Sequence, residues 1–162
     1  MSNLAIFERS DLSIADQREM VVKMQDELLG MQQADIVTTH KFLLGVYERT
    51  ITIPPWTVLT GAAHKTAYRV RLDRGVIAVN TDAGVRVLVA PVEFDVPAGF
   101  QRAGRVFDEE VVWTDIYSNP DDCRDIDVLE HRLYDVPACG LGEHRKLKGA
   151  LTWQDGSQAQ LS

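Results

Sequence analysis

Between Gly45 and Tyr117 the chain breaks into short alternating segments separated by turn signals, and this limits what it can fold into more than any other feature. The segments run Val46 to Ile53, Tyr68 to Leu72, Val76 to Asn80, Val85 to Ala90, Val92 to Val96, Arg102 to Phe107 and Val111 to Tyr117. Between them fall Pro54-Pro55, Asp73-Arg74-Gly75, Asp82-Ala83-Gly84, Pro97-Ala98-Gly99 and Asp108-Glu109-Glu110. Strands of this length at this spacing build a sandwich or barrel, not a parallel sheet with interleaved helices. Seven or eight strands are expected in the interval. In the segment from Tyr68, the side chains of Tyr68, Val70 and Leu72 share one face and Arg69 and Arg71 the other, because strand side chains alternate. Asp82-Ala83-Gly84 and Asp73-Arg74-Gly75 both read as tight hairpin turns.

Two helices flank this region. From Ser13 to Gly30 the residues Met20, Met24, Leu28 and Met31 recur at helical spacing, with Ser13 as N-cap, Asp16 behind it and Gly30 as the stop. The stripe is expected to pack on a sheet of its own or another subunit. Ser118-Asn119-Pro120-Asp121-Asp122 reads as a second helix start, with Ile126, Leu129 and Leu133 on its buried face. The expected organisation is an arm and helix over 1–42, a β-barrel over 43–118, a helix over 119–135 and an extended tail over 136–162. The tail lacks periodicity but carries Leu141, Leu147 and Trp153 beside the basic run Arg145-Lys146-Leu147-Lys148. It reads as an arm bound to a neighbouring chain, its basic residues meeting an acidic surface, with a solvated tail as the alternative.

Composition narrows the function classes. Seventeen basic against twenty-four acidic residues give a formal charge of −7, which disfavours a phosphate backbone as partner. No apolar run reads as a membrane span or a secretion signal, so the chain is expected to be made in the cytoplasm. Cys123 and Cys139 are too few for a disulfide framework or a zinc knuckle. No nucleophile motif, paired-carboxylate site or glycine-rich phosphate loop is present, so no catalytic residue is assigned. His40, His131 and His144 show no partners at ligand spacing, and Glu48-Arg49 reads as a charge cluster on a strand.

The order of motifs carries a resemblance. His40-Lys41-Phe42, Gly45-Val46-Tyr47, Thr60-Gly61-Ala62-Ala63-His64-Lys65, Gly75, Ala83-Gly84, Ala90-Pro91, Pro97-Ala98-Gly99 and Val112-Trp113-Thr114 follow one another as in a family of cupin-domain proteins encoded by tailed bacteriophages. The resemblance implies an all-β, cupin-like jelly-roll barrel with an N-terminal amphipathic helix, a C-terminal helix and an extended tail. It implies that His64, Tyr68 and Tyr117 occupy the positions at which cupins carry metal ligands, pointing into one interior. Only His64 is a histidine, and neutral phenols are poor ligands for divalent metals, so no cofactor is expected. Three readings of the trio stay open: a hydrogen-bonded polar plug, a small-molecule pocket, or a metal site built on His64. The resemblance further implies a non-enzymatic subunit of a phage particle, decorating the head or joining a tail or fibre. Such a subunit would be a homo-oligomer located in the virion, with other phage structural proteins as partners and neither nucleic acid nor membrane among them. The alternative is a small cupin enzyme or ligand-binding protein.

Overall fold

The computed structural model describes residues 5–7, 12–135 and 152–154. Helix α1 spans Ile14–Leu29; the Ser13 side chain accepts a bond from the Asp16 backbone N–H at 3.1 Å, and the Gly30 N–H bonds the carbonyls of Glu27 and Leu28. Its buried face is Val21, Met24 and Leu28, packed with Ile6, Val58 and Ala103; Met20 and Met31 are only partly covered. The expected Met stripe is therefore rotated slightly. Gln17 continues the buried face, bonding the Thr81 carbonyl at 2.9 Å and accepting from Asn80 at 2.9 Å. The surface that α1 covers belongs to its own chain.

The first strands are β1 (Val37–Leu43), β2 (Val46–Ile53), β3 (Thr57–Thr60), β4 (Ala63–His64) and β5 (Tyr68–Arg74). They are followed by β6 (Val76–Thr81), β7 (Gly84–Val89), β8 (Val92–Val96), β9 (Ala103–Val106) and β10 (Val111–Ser118). Helix α2 (Ile126–Leu133), β11 (Tyr134–Asp135) and β12 (Thr152–Gln154) complete the described elements. One sheet has the order β1-β2-β10-β5-β8, the other β12-β3-β9-β6-β7, and β4 pairs with β11 in a short separate ladder. All these pairings are antiparallel. Neighbours far apart in sequence, such as β2 beside β10 and β3 beside β9, are the mark of a jelly roll. The core lies between the sheets, with Tyr47, Leu72, Val111 and Trp113 from one meeting Ile77, Val79 and Val106 from the other.

Several expectations need correction. Among the described residues nine strands, β2 to β10, occupy the interval expected to hold seven or eight. The short β3 and β4 supply the difference. Strand β1 lies where an arm was expected; it is an edge strand exposed along most of its length, so it carries no period-two signal. Asp73-Arg74-Gly75 is not a hairpin, because β5 and β6 belong to different sheets. It is a corner, with Gly75 at φ 90 and the Glu110 carbonyl 2.5 Å from where a Cβ would lie. Asp82-Ala83 does form a hairpin, with Gly84 at φ 96. The second helix starts later than Ser118-Asn119-Pro120 suggests. Asn119 is buried and bonds the Cys123 carbonyl at 2.9 Å in a turn, and Asp125 caps α2 by accepting from Asp127 and Val128.

Trp153 sits in β12, whose backbone pairs with β3 of the same chain at Val58. Leu141, Arg145, Lys146, Leu147 and Lys148 lie outside the described residues, as do Cys139 and His144. Among the described residues no helix is long and apolar enough to cross a membrane.

Candidate functional site: a polar cavity inside the barrel

Alternation along three strands places the site. On β2, Tyr47, Arg49, Ile51 and Ile53 share one face; on β10, Val111, Trp113, Asp115 and Tyr117 do; on β5, Tyr68, Val70 and Leu72 do. Strand β4 brings His64 to the same interior, fixed by the β4–β11 ladder that pairs His64 with Tyr134. The structure therefore brings His64, Tyr68 and Tyr117 together. The His64 and Tyr68 rings stack at 4.0 Å between centroids, Tyr117 lies at 5.7 Å, and Tyr134 meets His64 edge-on at 5.1 Å.

Hydrogen bonds order the cluster. Asp115 accepts from Trp113 Nε1 at 2.8 Å through one oxygen and from the Tyr117 hydroxyl at 3.1 Å through the other. The Tyr117 oxygen lies 2.8 Å from His64 Nε2. A phenol has one proton, so with that proton given to Asp115 the His64 Nε2–H must donate to Tyr117. Farther along, His40 Nδ1 lies 2.7 Å from the Tyr47 hydroxyl. Burial pushes all four phenols, Tyr47, Tyr68, Tyr117 and Tyr134, above their ordinary range, and the nearby Asp115 carboxylate adds to the shift in each. They are neutral donors and acceptors at physiological pH, not bases.

Two guanidinium groups are buried beside them. Arg102 is fixed: it donates to the Asn80 carbonyl at 2.6 Å and lies over the rings of Phe94, Phe100 and Trp113 at 5.3, 4.8 and 5.7 Å. Burial pushes its pKa down, opposed by Tyr68 and Asp115. Arg49 is 7% exposed and lies across the ladder from Asp115. Burial disfavours its charge, but the surrounding Tyr134, Tyr117, Asp115 and Tyr47 outweigh that and hold its pKa up. The space these groups enclose is a cavity of about 500 Å³. Its polar wall includes His40, Arg49, Thr60, His64, Arg102 and Asp115; its apolar wall includes Ile51, Ile53, Leu59, Ile77, Val79 and Trp113. Tyr68 and Tyr134 line it too, while Tyr117 stands behind His64.

The donors present do not fit the divalent metal that the cupin resemblance implies. Two of the three aligned positions are phenols kept protonated by burial, and the His64 Nε2 is committed to Tyr117. Among the described residues no three of His, Cys, Asp and Glu are grouped as a metal would require. Sequence reasoning missed Arg49, Asp115, Arg102 and His40 as cavity residues. A signal existed for the first two, since each sits midway in an alternating run of apolar and aromatic side chains that must face inward. His131 is exposed on α2, away from the cluster, with Nδ1 at 2.9 Å from the Asp127 carbonyl.

Two facing antiparallel sheets in this order, closed around inward-facing aromatic and polar side chains, make the chain a cupin-like jelly roll. Comparison with protein-family models finds no match, and no curated protein matches the chain. Solved structures similar to it are cupin domains. The cupin domain of an XRE family transcriptional regulator from Enterobacter cloacae is 16% identical, over 50% of this chain and 93% of that one, with a TM-score of 0.44. KdgF from Halomonas sp. is 13% identical over 61% of this chain and 94% of that one, at 0.46. The cupin domain of Cnp3 from Schizosaccharomyces pombe is 13% identical over 68% of this chain and 76% of that one, at 0.47. The fold assignment stands on the strand order of this chain, and no function is read from these likenesses.

Proposed function

We propose that the barrel binds a small organic molecule in its interior without a metal ion. The observation that carries this is the cavity of about 500 Å³, which has a drug-like volume and joins apolar walls to a few convergent polar groups, as small-molecule sites do. A polar plug that merely satisfied His64, Tyr68 and Tyr117 would need no such space. The His64–Tyr117–Asp115 chain of bonds fixes His64 in one tautomer and orientation, so its role in this reading is to position a ligand. Metal analysis, together with mass spectrometry of small molecules released from the purified protein, tests the proposal. An organic compound recovered from the wild type but not from Ile51→Trp, which fills the cavity, with no stoichiometric metal, is the expected result. Stoichiometric metal that is lost on His64→Ala would overturn it.

The phage-particle role, whether in head decoration or at the tail, is a second proposal and rests on the order of motifs from His40 to Thr114. Mass spectrometry of purified virions tests it: many copies per particle would support it, and absence from the virion would remove it. A homo-oligomer is proposed with it and is read by sedimentation.

A further inference from the structure

We propose that the molecule bound in the barrel is an organic monocarboxylate, held through its carboxylate by Arg49. This rests on the small-molecule reading of the cavity and adds the chemical class. Arg49 is 7% exposed and lines the cavity, and its guanidinium makes no hydrogen bond or ion pair with a described residue. Its opposite number across the ladder, Asp115, is already engaged, because its two oxygens accept from Trp113 and Tyr117. Arg102, the other guanidinium in the wall, donates to the Asn80 carbonyl and lies over three aromatic rings, with its buried Nε left without a hydrogen-bond partner among the described residues. The five N–H donors of Arg49 have no bonded acceptor among the described residues and face the cavity, so they are open to a ligand that supplies oxygens. A carboxylate fits its fork with two parallel bonds.

The surroundings set charge and shape. The Arg49 fork matches a single negative charge, and Asp115 on the adjacent strand, with Asp35 and Glu130 in the same wall, disfavours a second, which argues against a phosphate dianion. Along β2 the residues after Arg49 on the same face are Ile51 and Ile53, both in the cavity wall, and alternate positions are about 7 Å apart. The ligand therefore has its charged end at Arg49 and an apolar body running along Ile51 and Ile53, with Ile77 and Trp113 lining the same space.

The test is calorimetric titration of the full chain with benzoate and hexanoate, their neutral counterparts benzamide and hexanamide, and phenyl phosphate. The expected result is saturable one-to-one binding of both acids, with each amide weaker by about tenfold or more, because only the acids form the charged pair. Arg49→Gln should erase the difference between acid and amide, whereas Arg69→Gln, an exposed arginine paired with Glu93 and Asp95, should leave it intact. If Arg49→Gln fails to fold by circular dichroism, Arg49→Lys takes its place. It keeps the charge and loses the fork, so the acids should bind it more weakly than wild type, and equal affinity would overturn the role given to Arg49. Amides that bind wild type as well as the acids would overturn the carboxylate inference and leave the small-molecule reading standing. Tighter binding of phenyl phosphate than of benzoate would overturn the choice of anion, and no binding of any of the five would overturn both readings.

Discussion

Tyr117 bridges His64 and Asp115 with bonds of 2.8 and 3.1 Å, so removing its hydroxyl strands two buried polar groups at once. Tyr117→Phe is expected to lower stability by about 1–3 kcal/mol, the cost of leaving buried groups unsatisfied, as read from urea denaturation midpoints. A second prediction concerns pH. All four tyrosines of the chain are held above the ordinary value of 10.0. Above that pH the unfolded chain has released phenolic protons that the native protein retains, so stability falls as pH rises further; below it this contribution is fully present. Tyrosinate absorbance should thus stay absent in the native protein past pH 10 and rise together with unfolding. A rise at ordinary tyrosine pH with the fold intact would contradict the buried cluster. His64, Tyr68 and Tyr117 were legible through the order of motifs and the alternation of strands. Arg49 and Asp115 were not singled out, because a charged residue beside another charge, as in Glu48-Arg49, resembles a solvated face until its strand partners are followed.

At the scale of elements, the corner at Gly75 decides how the chain passes from one sheet to the other. Gly75→Ala must hold a side chain at φ 90 against the Glu110 carbonyl, and is expected to cost at least about 1–3 kcal/mol from backbone strain alone. A melting temperature equal to that of wild type would show that the corner relaxes freely. Helix α1 offers a graded comparison. Leu28 is fully buried under it while Met31 is only partly covered, so Leu28→Ala should cost about 2–5 kcal/mol and Met31→Ala less than half of that by the same denaturation measurement. The strands with one buried face were readable because alternation is a period of two. Strand β1 is exposed along most of its length and the two-residue β4 is too short to show any period. Gly75 was readable as a turn but not as a corner, since a turn signal does not say which sheet receives the next strand. The helix start at Asp125 was hidden because Ser118-Asn119-Pro120 has capping chemistry that the fold spends on a buried turn.

For the whole molecule, the barrel was legible and the space inside it was not. Strand number and turn spacing pointed to two facing sheets, but whether their inner side chains close up or leave about 500 Å³ depends on which residues meet across the interior, which no single segment encodes. The fold keeps Arg49, Arg102 and Asp115 in that interior beside isoleucine side chains, an arrangement with no value to packing alone. The most direct measurement is a methyl NMR titration of isoleucine-labelled protein with a library of small organic molecules. The account predicts saturable shifts at Ile51, Ile53 and Ile77, which line the cavity, with Ile6 under α1 unmoved; binding that shifts Ile6 and leaves those three unchanged, or a library that moves none of them, would contradict it.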